Sequence, residues 1–108
     1  MEFADLQKQC FDQSKAAGWW DGPLEFGTKI ALMHSELSEA MEEWRNGMEP
    51  TEMYMEGDKP CGVPTELADT IIRILDLCGY LKLDMEYVIR KKLEYNLTRS
   101  HRHGGKRA

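Results

Sequence analysis

At 108 residues the chain suffices for one domain but is short for a monomer with a deep active site. With 42% hydrophobic and 31% charged residues it is no disordered polymer, and a formal net charge of -5 argues against a role dominated by nucleic-acid binding. No apolar run approaches a membrane span and MEFADLQKQC does not read as a signal peptide, so a cytoplasmic protein without membrane partners is expected. Cys10, Cys61 and Cys78 are odd in number and lack CxxC spacing, which disfavours a disulfide framework or a zinc site.

In chain order, Phe3, Leu6, Cys10, Phe11 and Ala17 recur at helical spacing and predict a first helix that Gly18 stops. Trp19-Trp20-Asp21-Gly22-Pro23 reads as a loop. A second helix is predicted from about Glu25 to Asn46, with Gly47 past its end and an apolar stripe of Ile30, Met33, Leu37, Ala40, Met41 and Trp44. Residues 48–62 mix Pro, Gly and charges without a clean period and read as a loop, long enough for a lid or a subunit contact. A third helix is predicted from Pro64-Thr65 to Cys78, ended by Gly79, with Leu67, Ile71, Ile74, Leu75 and Cys78 as its core stripe. A fourth begins at an Asp84 cap and carries Met85, Val88, Ile89, Leu93 and Leu97. No strand alternation stands out. The expected fold is all-α, a four-helix domain over 1–98 followed by a basic tail over 99–108.

Two short acid pairs lie inside the second and third helices, Glu36/Glu39 and Glu66/Asp69. Residues three apart share a helix face, so each pair aims two carboxylates at one place. Four acids gathered by two packed helices are costly unless a cation fills the site. A single such pair is most often a solvated face. Two of them beside apolar stripes favour Mg²⁺, with Mn²⁺ as the other hard cation, and Mg²⁺ on carboxylates commonly also holds substrate phosphates. Di-iron chemistry is disfavoured because the chain has no ExxH. Glu43 and Asp76 are spare acids on similar faces.

Lys92, Asn96 and Arg99 fall on one face of the fourth helix or its end and suit phosphate oxygens, although a solvated basic helix end has the same pattern. His34 is a candidate for base contact or proton handling, or simply an exposed histidine. Trp19 and Trp44 are candidates for stacking on a nucleobase, against a plain core or interface role.

With these residues in view, the chain resembles the MazG-like, all-α nucleoside triphosphate pyrophosphohydrolase family. The resemblance is carried by ELSEAMEEWR, with its ExxE pair, by ELADTIIRILDLC, with its ExxD pair, by the KxxYNxTR-like stretch Lys92–Arg99 and by the closing HGGK. It covers the chain from about residue 26 onward. It implies Mg²⁺ held by Glu36, Glu39, Glu66 and Asp69, phosphate contacts from Lys92, Asn96 and Arg99, and hydrolysis of an NTP or dNTP to the monophosphate and pyrophosphate. Glu39, with Glu36, is the expected catalytic acid, Glu39 orienting the water. The family resemblance also implies a homodimer or homotetramer whose association completes the bundle core. The alternative is a catalytically silent helical module that binds a nucleotide or regulates a partner.

Overall fold

Helical spacing of the apolar residues is realised in α1 (Phe3–Ala16), α2 (Phe26–Arg45), α3 (Val63–Tyr80) and α4 (Met85–Leu97) of the computed structural model, which describes residues 2–99 and Arg107. The fold is therefore mostly helical. Of the expected basic tail, only Arg99 and Arg107 lie within the described residues. No helix among the described residues is long and apolar enough to cross a membrane.

Three helices end on the same hydrogen-bond device. After α1, Gly18 N–H donates to Lys15 O and Trp19 N–H to Ser14 O; after α2, Gly47 N–H donates to Trp44 O and Met48 N–H to Glu43 O. Both glycines have positive φ, as this terminating turn requires. The end of α3 departs from the sequence expectation. Gly79 does not stop the helix, which runs on to Tyr80 and closes through Lys82 at φ 58, with Lys82 N–H on Gly79 O and Leu83 N–H on Cys78 O. Gly79 has a different role: a Cβ there would lie 2.6 Å from Phe11 Cβ, so its missing side chain lets α1 approach α3 closely. The start of α3 also differs, at Val63 rather than Pro64-Thr65, with Gly62 at the cap and Thr65 Oγ1 donating to Cys61 O. Asp84 caps α4 as expected, accepting from Tyr87 N–H at 3.1 Å.

Residues 48–62 are not wholly loop. They contain an antiparallel hairpin of β1 (Tyr54–Glu56) and β2 (Lys59–Cys61), paired Tyr54 with Cys61 and Glu56 with Lys59. Three-residue strands are too short for alternation to register, which is why composition dominated the reading.

Helix α3 is central, packed against α1 on one side and α2 on the other. The buried apolar set is Cys10, Ala40, Cys61, Val63, Leu75, Leu77 and Cys78, with Thr70 among them. Much of the expected core stripe is instead open: Leu37, Met41 and Trp44 on α2, and Leu67, Ile71 and Ile74 on α3, are exposed. The physical reason is that α1 and α2 cover only part of α3, and α4 contributes no buried residue. The radius of gyration is 16.4 Å, whereas a compact domain of this length has about 13 Å. The molecule is thus a three-helix layer with an extended fourth helix and an uncovered apolar face.

Candidate metal centre

Packing of α2 on α3 brings carboxylate oxygens of Glu36, Glu39 and Glu66 to within 4.8 Å of one another. At an effective dielectric of about 20, two unit charges at that separation repel by about 3 kcal/mol. The protein answers part of this repulsion itself. Arg73, one helical turn beyond Asp69 on α3, donates through Nε to Glu36 Oε1 at 2.9 Å across the helix interface. Burial pushes the Glu66 carboxyl up to about 7, reinforced by a hydrogen bond shared with Glu39 and by the charges of Glu39, Asp69 and Glu36. Glu66 Oε2 is buried with no hydrogen-bond partner among the described residues.

Asp69 stands beside this trio rather than within it. Its carboxyl is raised by burial and then by the charges of Glu36 and Glu39, while Arg73 and Lys59 pull it back. Asp69 and Glu36 both line a cleft of about 400 Å³, together with Trp19, Trp20, Gln13 and Lys29. Three of the four expected ligands therefore converge, and the fourth, Asp69, borders a cleft that only Glu36 of the trio lines. An oxygen-only donor set with a desolvated, unpartnered carboxylate oxygen is what a hard divalent cation fits.

The remaining candidates are distributed differently. Trp19 is exposed and lines the cleft, whereas His34 and Trp44 are exposed on α2 and do not line it. Glu43 accepts the Tyr54 hydroxyl at 3.1 and 3.2 Å, and Asp76 accepts from Trp20 Nε1 at 2.8 Å, so both spare acids serve hydrogen bonds that fix neighbouring segments. Trp20 in turn stacks on Tyr80 at 3.9 Å, with Lys29 Nζ 4.2 Å from its ring centroid. Lys92 on α4 and Arg99 just past its end both lie over the Tyr95 ring, at 5.0 and 5.5 Å. Among the described residues α4 shares no hydrogen bond or ion pair with α2 or α3, so no such contact joins Lys92, Asn96 or Arg99 to the acids.

Sequence reasoning sets Arg73 alongside Glu66, Asp69 and Asp76 on the third helix, since 66, 69, 73 and 76 follow one face, but gives it no role, and it misses Lys29. Lys29 carried no comparable signal, since its place depends on how the loop after α1 folds back.

Comparisons with protein-family models, with curated proteins and with solved structures each give no match to this chain.

Proposed function

We propose that this chain is a Mg²⁺-dependent nucleoside triphosphate pyrophosphohydrolase of the MazG-like kind, hydrolysing an NTP or dNTP to the monophosphate and pyrophosphate. The observation that carries the reading is the convergence of Glu36, Glu39 and Glu66 from two helices around a buried, unpartnered Glu66 oxygen.

In this reading Glu36, Glu66 and Asp69, with Glu39, hold the cation, and Mn²⁺ suits the same oxygen donors. When bound, Mg²⁺ supplies charge neutralisation of the phosphate oxygens and acidifies water. Glu39 is the exposed member of the trio and orients the attacking water, accepting its proton as the oxygen joins the α-phosphorus. The bond from the α-phosphorus to the α–β bridging oxygen breaks, and that oxygen leaves with pyrophosphate. Arg73 keeps Glu36 in place through its 2.9 Å bond. Trp19, which lines the same cleft as Glu36 and Asp69, offers a face for the base.

Lys92, Asn96 and Arg99 remain the phosphate-gripping set of this reading, and they meet the acids in an assembly. The open faces of α2, α3 and α4 support a homodimer or homotetramer, since stable single domains rarely leave so much apolar surface uncovered. A cytoplasmic setting, with its nucleotide pool, completes the proposal.

The test is substitution at the acids. Glu39→Gln and Asp69→Asn are expected to abolish turnover while circular dichroism reports an unchanged helical fold. Wild-type turnover in Mg²⁺ by either variant would show the site to be wrongly assigned.

A further inference from the structure

We propose that Lys59, carried on β2 of the hairpin, is a substrate-phosphate contact of the acid site, making the hairpin a working part of that site. This rests on the function proposed above and extends it to a residue outside the acid pairs and the α4 set.

Residues paired directly across an antiparallel ladder share a face, as do residues two apart on one strand. Tyr54, Glu56, Lys59 and Cys61 therefore lie on one face of the hairpin, and Met55 and Pro60 on the other. The first face is turned to the bundle at its base: Cys61 is buried, and the Tyr54 hydroxyl reaches Glu43 on α2, one helical turn beyond Glu39. Met55, on the opposite face, is exposed.

The hairpin is also held firmly where it enters α3. Gly62 has φ 110, and a Cβ there would collide with the Glu52 carbonyl oxygen, so the incoming and outgoing chain cross tightly at that residue. β2 packs on α3, the helix that carries Glu66 and Asp69. This geometry puts Lys59 on the hairpin face from which Tyr54 reaches Glu43, the face turned toward the helices that carry the acids.

Charge balance then assigns it a task. Arg73 is already bonded to Glu36, and Lys29 sits over the Trp20 ring. Among the described residues Lys59 has no ion-pair partner, and it is exposed. A triphosphate approaching four carboxylates needs cations beyond the metal, and a lysine on a flexible stem is suited to phosphate oxygens as a point charge.

The experiment uses the full chain in Mg²⁺, with binding of a non-hydrolysable α,β-imido nucleoside triphosphate measured by calorimetry alongside steady-state kinetics. Lys59→Ala is expected to weaken analogue binding and raise KM by about tenfold or more, the loss of one charged hydrogen bond. Lys59→Arg should restore most of both, and Lys91→Ala, an exposed lysine of α4 paired with Glu94, should change neither. Analogue affinity and KM unchanged in Lys59→Ala, while the wild type binds and turns over, would overturn the role of Lys59 alone. A loss that Lys59→Arg fails to rescue and that accompanies a lowered Tm would also overturn it, in favour of a structural role. A wild type that neither binds nor hydrolyses would overturn the parent reading with it.

Discussion

Arg73 on α3 and Glu36 on α2 are joined by a 2.9 Å bond from Nε to Oε1, and it is the one ion pair among the described residues that links two helices. The Glu36 side chain is only 13% exposed, so its charge relies on this partner. Arg73→Gln is expected to lower the metal-free stability by about 1 kcal/mol, a modest figure because the guanidinium is partly solvated. Urea unfolding at neutral pH reads the change, and saturating Mg²⁺ should recover most of it.

The Glu66 carboxyl titrates near 7 in the folded chain against an ordinary value of 4.5. Between those values the folded state holds a proton that the unfolded chain has released. Its contribution to metal-free stability is thus favourable on the acid side and is lost as pH rises through that window. Asp69 shifts in the same direction. Tm scans in chelator should show Glu66→Gln gaining on the wild type as pH rises from 5 to 8. A constant difference across that range would show that Glu66 is not strained by its neighbours.

Divalent metal should reverse the same penalty. At a free concentration about a hundredfold above Kd, a ligand of the folded state adds about 2.7 kcal/mol, which for a domain of this size is about 10 °C in Tm. Mg²⁺ is expected to give a shift of that order at neutral pH. Glu39→Gln and Glu66→Gln should remove most of it, and Glu43→Gln, whose carboxylate is engaged by Tyr54, should not.

How much of this was legible in the sequence depends on the range of the force involved. Helices α1, α2 and α4, the Asp84 cap and the glycine stops at 18 and 47 follow from local spacing and chain-end chemistry, and they stand close to where the residues placed them. The sharing of a helix face within each acid pair was legible for the same reason, as each is a three-residue spacing, but the meeting of Glu36 and Glu39 with Glu66, and not with Asp69, depends on how α2 packs on α3. The hairpin was missed although Gly57-Asp58 between Tyr54–Glu56 and Lys59–Cys61 is a two-residue hairpin signal. Gly79 misled because a packing glycine and a terminating glycine look alike in sequence, and only the approach of Phe11 separates them. Leu67, Ile71 and Ile74 are expected as a core stripe yet are exposed, because an apolar stripe does not say whether its cover comes from the same chain.

That distinction at the end of α3 can be measured. Gly79→Ala improves helix propensity by up to about 1 kcal/mol but places a methyl against Phe11 Cβ, and overpacking of this kind costs about 1–3 kcal/mol. A net loss is expected. Lys82→Gly removes a left-handed non-glycine residue and should gain about 1 kcal/mol. Opposite signs from the two variants in denaturant unfolding identify which residue ends the helix.

The open face makes a prediction about mass. Analytical ultracentrifugation of the wild type should give a dimer or tetramer, and Ile71→Glu should shift it toward monomer without loss of helical signal. A wild type that sediments as a monomer at micromolar concentration would leave the stripe of α2 and α3 unexplained.

The measurement that bears most directly on the central claim is product analysis across standard and modified NTPs and dNTPs, with Mg²⁺ and with chelator. Monophosphate and pyrophosphate formed only with metal is the predicted result, and the preferred base then narrows the substrate. Diphosphate and orthophosphate would contradict the cleavage position, and no turnover of any nucleotide, even with tight binding, would make the protein a nucleotide-binding module and not an enzyme.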